Sequence, residues 1–253
     1  MLRHELEYFF GAIRFFTRLP VPGWVGHSAE ALNHSARYFP AVGLIVGGIG
    51  ALVYLCAVML WPQPVAVLLS MTATIYATGA FHEDGLADTV DGFGGGWNKL
   101  RILEIMKDSR VGSYGVVAMV LALLGKFTLL SSLDGALVPF ALIAGHALSR
   151  FCATTLLATM DYVREDMQSK AKPLATRLSV GAMLVGLAFV LPALGFLPLA
   201  KGLAGGVMAA LVTLWLAAKF RRWLGGYTGD CLGATQQLSE IAFYLGLLAN
   251  WLP

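Results

Sequence analysis

The sequence predicts an all-α fold: a polytopic integral membrane helical bundle of about seven transmembrane helices, with an interfacial helix at its amino-terminal end. Three observations predict it. Only 13% of the 253 residues are charged and 57% are hydrophobic, against roughly 25% charged in an average soluble domain. The mean hydropathy is +0.70. Apolar runs recur along the chain at close to the ~20 residues that cross a bilayer as a helix. A soluble protein with a large core would need far more charged surface. The chain reads as a single membrane-embedded domain over residues 1–253.

The first segment, LRHELEYFFGAIRFFTRLP, lacks the uninterrupted apolar stretch and small-residue cleavage site of a signal peptide. Leu2, Leu6, Phe9, Phe10, Ile13 and Phe16 recur at helical spacing, with Arg3, Glu7, Arg14 and Arg18 mostly off that stripe. This predicts a helix lying in the membrane interface, ended by Pro20 and Pro22.

Seven spans are expected, at about 39–61, 64–81, 112–132, 137–159, 179–199, 202–219 and 236–252. The second is short. The fifth contains Pro192, expected to kink or split it. The last is weakened by Gln236, Gln237 and Glu240, read as preceding its apolar part. GLIVG (43–47) and GLAGG (202–206) are GxxxG patterns that let helices approach closely.

The connections orient the bundle. Fifteen of the 18 basic residues fall in the amino-terminal segment or in the connections near 99–110, 164–177 and 219–222. The positive-inside rule makes that side cytoplasmic. The alternation requires an odd number of spans and a carboxy terminus outside. The net charge of +3 is small and forms no basic stripe, which excludes a nucleic-acid partner. Cys56, Cys152 and Cys231 lie too far apart for a metal or disulfide framework.

The stretch 81–96, FHEDGLADTVDGFGGG, puts four carboxylates on the cytoplasmic end of the expected second span. Asp84, Asp88 and Asp91 are spaced i, i+4, i+7 and share one helix face. Glu83 lies about 100° from Asp84 around the helix, at the edge of that arc. So many acids repel strongly in a low dielectric; either some are protonated or a cation sits among them. Oxygen ligands suit Mg²⁺, Ca²⁺ or Mn²⁺. His82 is alone and reads as a packing or supporting group. The glycines at 92 and 94–96 let backbone approach a ligand. Mg²⁺ shares its shell with substrate phosphates, so phosphoryl-type transfer at the cytoplasmic face is expected.

Two further motifs fall on the same side. IMKDSRVGSYG (105–115) supplies Lys107 and Arg110 as phosphate-binding cations and Asp108 as a further metal ligand. Gly112, Ser113 and Gly115 offer donors near a helix start. GGYTGDCLGA (225–234) places Asp230 between glycines before the last span. Lys126, His146 and Arg150 lie inside spans, where charge is costly and often functional.

EDGLADTVDG, LEIMKDSRVGSYG and YTGDCLGA, in this order and over essentially the whole chain, resemble the adenosylcobinamide-GDP ribazoletransferase (cobalamin synthase) family. The resemblance implies a Mg²⁺-dependent, multi-pass enzyme of the cell inner membrane with its active site facing the cytoplasm. Its implied partners, besides the lipid bilayer, are adenosylcobinamide-GDP and α-ribazole or α-ribazole 5′-phosphate; GMP leaves, and adenosylcobalamin or its 5′-phosphate forms. Carried over residue by residue, the metal ligands are Glu83, Asp84, Asp88, Asp91 and Asp108. Asp84, Asp88 and Asp91 are the catalytic acids, and which of them takes a proton stays open. Lys107, Arg110, Ser113 and Asp230 would hold the nucleotide-linked substrate. A homo-oligomer stays open. DGLAD (84–88) also echoes the CDP-alcohol phosphotransferases, but Asp88 stands where that family has arginine. A membrane prenyltransferase would open with N-D-x-x-D, which is absent. A transporter would need polar groups at the midplane in related halves, whereas most acids here cluster at span ends.

Overall fold

The structure is a computed structural model describing residues 2–26, 29–164 and 178–249. Lys170, Lys172 and Arg177, counted among the cytoplasmic bases, and the end of the expected last span lie outside the described residues. In chain order the helices are α1 (Leu2–Phe16), α2 (Ala29–Ser35), α3 (Phe39–Val58), α4 (Gln63–Thr78), α5 (Phe81–Gly95), α6 (Lys99–Ile105), α7 (Ser113–Ser132), α8 (Val138–Thr159), α9 (Val180–Leu194), α10 (Leu199–Leu224) and α11 (Gly229–Leu248).

Seven of these stand where the seven spans were expected. By length and composition, four can cross a bilayer: the helical run Ala31–Val58 that contains α3, then α7, α8 and α10. Pairing α4 with α5 makes a fifth. The physical reasons are specific. α9 has 15 residues, about 22 Å at 1.5 Å per residue, short of the ~30 Å hydrocarbon core. α11 has the length but carries Gln236, Gln237 and Glu240 in its middle rather than ahead of it. Pro192 sits in the last turn of α9.

α8 is the central post. Its most apolar window is 78% buried, against 22% for α7 and 28% for α10, so α7 and α10 present leucine-rich faces outward. α3 lies directly on α8 because Gly43 and Gly47 leave no side chain between the backbones. A Cβ on Gly47 would stand 2.7 Å from the Cα of Ile143, and one on Gly43 2.7 Å from the Cα of Ala147. In the second GxxxG pattern the close approach falls on Gly205, against Phe243 and Gly246, while Gly206 faces open space.

The α4–α5 junction differs from the sequence reading. Gly79 (φ 66°) and Ala80 (φ 58°) both take left-handed backbone, and the chain turns by 86°. The acidic stretch is therefore a separate helix after a sharp bend, not the straight continuation of the second span. α1 docks beside it: Phe16 packs on Phe39 at 4.4 Å between ring centroids and on Phe81 at 5.6 Å. Ile13 and Phe16, two of the stripe residues expected to meet lipid, are thus buried against protein, while Leu6 stays exposed.

Candidate active site

α5 runs between α7 and α11, and its four acids part company. Asp84 is exposed and Asp88 half-buried one turn on, both on the face turned to the start of α11. Thr228 caps α11, its hydroxyl accepting the Cys231 amide at 3.3 Å, and this sets Asp230 in the first helical turn. Arg164, in the segment after α8, donates to Asp230 Oδ2 at 2.6 Å and to the Met106 carbonyl at 3.2 Å. One guanidinium thus ties the second motif to the third, beside the first. Burial, then the negative charges of Asp230, Asp84 and Asp91, push the Asp88 carboxyl up to about 7 against the pull of Arg164.

Asp91 has a different task. Its Oδ2 accepts the Gly112 amide at 2.7 Å and its Oδ1 the Gly115 amide at 2.8 Å. It caps α7, where free amides and the helix dipole favour an anion. A Cβ on either glycine would collide with that carboxylate. The backbone donors read from the sequence as phosphate ligands are therefore taken by the protein's own acid, and of that set only the exposed Ser113 keeps its hydroxyl for a ligand.

Asp108 and Arg110 grip each other, with Arg110 Nη2 donating to Asp108 Oδ2 at 2.7 Å and Nε to Oδ1 at 3.0 Å. The Arg110 side chain and amide hold the Asp108 carboxyl down at about 2. Both residues and Ser113 line an open cleft of about 570 Å³ whose rear wall includes Asp91. Lys107 is exposed near the start of the same motif. Asp84, Asp88 and Asp230 are not in that wall; they form the adjoining face.

Glu83 turns inward. Its Oε1 accepts from Gln237 at 3.0 Å, and Gln237 also donates to Gln236 Oε1 at 2.9 Å. Gln236 donates to Glu240 at 2.6 Å and to Ser149 at 2.9 Å. Glu240 further receives Tyr244 OH at 3.0 Å and Lys126 Nζ at 3.1 Å. Arg150 closes the group through the ring nitrogen and carbonyl of His146, at 3.2 and 3.1 Å. The intramembrane bases thus meet two acids in a charge-balanced network across α5, α7, α8 and α11. Sequence reading missed Arg164, and missed Gln237 and Glu240 as partners, because the residues that give them meaning are 58 or more positions away in the chain or on other helices.

Among the described residues no group of three or more His, Cys, Asp or Glu is placed to hold a metal ion. The face of Asp84, Asp88 and Asp230 nevertheless fits Mg²⁺ in its usual mode, in which one or two carboxylates bind and phosphate oxygens and waters complete the shell. The donors are all oxygens, and the neighbouring carboxylates, which after burial raise the Asp88 carboxyl, exert a repulsion that a cation would relieve.

The cobalamin-5-phosphate synthase family model matches residues 8–248. The adenosylcobinamide-GDP ribazoletransferase of Shewanella woodyi is 49% identical over 251 residues, covering 98% of each chain. That of Leptothrix cholodnii is 48% identical over 264 residues, covering 98% of this chain and 97% of the relative. No solved structure matches.

Proposed function

Because the chain belongs to the cobalamin-5-phosphate synthase family, we propose that it joins adenosylcobinamide-GDP to α-ribazole or its 5′-phosphate and releases GMP. The observation that carries this reading is the convergence of three distant motifs: Asp84 and Asp88 of α5 and Asp230 of α11, with Arg164 bridging to Met106. The ribazole 3′-hydroxyl attacks the phosphorus attached to the cobinamide arm, the bond from that phosphorus to the GMP oxygen breaks, and GMP departs with the electron pair. Bound Mg²⁺ would supply neutralisation of the diphosphate and of the departing GMP. Asp84 and Asp88, with Asp230 opposite, would hold it. Asp84 or Asp88 accepts the hydroxyl proton. Arg164 and Lys107 orient the phosphate oxygens, and Arg is suited to grip phosphate through two hydrogen bonds.

The chain is a multi-pass membrane protein. Its place in the cell inner membrane, with this face to the cytoplasm, is supported by the basic residues of the same side. The test is release of GMP from the nucleotide-linked substrate by purified protein in detergent, with and without Mg²⁺. Folded Asp84→Ala and Asp88→Ala variants with full activity would refute the metal assignment. A protein that binds the substrate and releases no GMP would refute the reaction.

A further inference from the structure

The open cleft formed by α5, α6 and the start of α7 has features that the Asp108–Arg110 pair does not use. Its volume of about 570 Å³ falls within the range of about 300–1,000 Å³ usual for small-molecule sites. Tyr114 supplies an aromatic wall. A Cβ on Gly94 would stand 2.6–3.1 Å from three atoms of the Tyr114 ring, so glycine there lets the ring lie against the α5 backbone. The ring is held on that side, yet Tyr114 stays 56% exposed and offers aromatic surface to the cleft. α6 supplies a polar edge. Asn98 caps it by accepting the Arg101 amide at 3.0 Å. Arg101 Nη1 donates to Glu104 Oε2 at 2.8 Å, and both residues line the cleft. The bridge engages one of the two Glu104 oxygens, and a carboxylate has about four acceptor positions. The cleft thus sets a guanidinium donor beside a carboxylate acceptor, next to an aromatic ring.

We infer that this cleft is the guanine subsite: the base of the nucleotide-linked substrate stacks on Tyr114 and is read by Glu104 and Arg101. This rests on the transferase reading above. Guanine carries an acceptor, O6, beside two donors, the N1–H and the 2-amino group. Arg101 matches the acceptor and Glu104 the donors. Adenine would turn a ring nitrogen lone pair toward the carboxylate and is disfavoured. A phosphate does not match the cleft. Its lining sets three acids, Asp91, Glu104 and Asp108, against two bases, Arg101 and Arg110, which disfavours further negative charge and tolerates a neutral base. Position agrees. Asp84, Asp88, Asp91 and Gly95 follow one line along α5, and Gly95 lies in the cleft lining. It is seven residues beyond Asp88, about 10 Å along the helix, comparable to the reach of a nucleotide from its phosphates to its base.

The probes are GMP, IMP and AMP, each titrated calorimetrically into the full chain in detergent. GMP is expected to bind at least tenfold more tightly than AMP. IMP, which lacks the 2-amino group, should bind about tenfold more weakly than GMP, the loss of one hydrogen bond of ~1.4 kcal/mol. Glu104→Gln changes an exposed side chain, which spares the fold. It should bring GMP and AMP within about twofold of each other and raise KM for adenosylcobinamide-GDP while KM for α-ribazole stays unchanged. Tyr114→Ala should weaken GMP and AMP alike by roughly tenfold, since stacking tolerates any base, and Tyr114→Phe should restore both. Equal binding of GMP and AMP by the unsubstituted protein, or a preference for GMP that survives Glu104→Gln, overturns the inference while GMP release still upholds the reaction. A preference for GMP that Glu104→Gln abolishes, in a protein that releases no GMP from the nucleotide-linked substrate, supports the subsite and overturns the reaction instead.

Discussion

The sharpest division of labour among the acids is between Asp91 and Asp88, and Asp91→Asn tests it. The Asp91 carboxylate receives two backbone amides, at 2.7 and 2.8 Å, at the start of α7. Hydrogen bonds to a charged group contribute about 1.5–3 kcal/mol each. Asparagine keeps one acceptor and turns its NH₂ against the other amide. The local cost is therefore about 1.5–3 kcal/mol, equivalent to a roughly 10- to 150-fold rise in opening of the first turn. Amide hydrogen exchange followed by mass spectrometry on the peptide spanning 110–118 reads that opening directly. Asp91→Asn should exchange faster there by that factor, while Asp88→Asn leaves the peptide protected. If Asp91→Asn exchanged at the unsubstituted rate yet lost Mg²⁺-dependent activity, Asp91 would be a metal ligand and the capping argument would be wrong.

Four further outcomes are expected. The Asp88 carboxyl is raised from its ordinary value to about 7 in the fold. The native state therefore holds the extra proton between about pH 4 and 7, and stability in metal-free detergent should fall as pH rises through that window. Thermal midpoints measured across it should show this, and Asp88→Asn should flatten the trend. Lys126→Met strands Glu240 in the interior at a cost of about 3–5 kcal/mol; the yield of folded protein on gel filtration should drop, and Lys126→Met with Glu240→Gln should recover it. Gly47→Ala forces a methyl against the α8 backbone, which should cost about 1–3 kcal/mol and lower the thermal midpoint. The same change at Gly206, which faces open space, should not. Arg164→Lys keeps the charge beside Asp230 but loses the paired donors, so the KM for adenosylcobinamide-GDP should rise several-fold.

Much of the architecture could be read from local pattern. Hydropathy located α3, α7, α8 and α10 because each is a long run whose signal needs no partner. The i, i+4, i+7 spacing correctly put Asp84, Asp88 and Asp91 on one arc of a helix. It could not tell that the arc faces two different neighbours, since the amides that claim Asp91 lie 21 and 24 residues downstream. The turn before α5 was hidden because only Gly79 signals it, while Ala80 adopts a left-handed conformation that its own side chain disfavours. The amides of Gln236 and Gln237 and the acid of Glu240 looked like a polar prelude to a span. Their actual place in the middle of α11 makes sense only once Lys126, His146 and Arg150 are seen around them.

That last feature bears on how the protein is made. A helix with charge and two amides at its centre partitions poorly into lipid alone, with penalties of about 2.5–3.5 kcal/mol for a central ionised residue on insertion scales. The side chains that compensate it in the finished bundle belong to α7 and α8, which leave the ribosome earlier. α11 therefore finds its compensating partners already synthesised when it joins the bundle. Asp230 reaches Arg164 only at that step, so a nascent chain lacks the completed acidic face and cannot act on nucleotide-linked substrate before its own synthesis has passed α11.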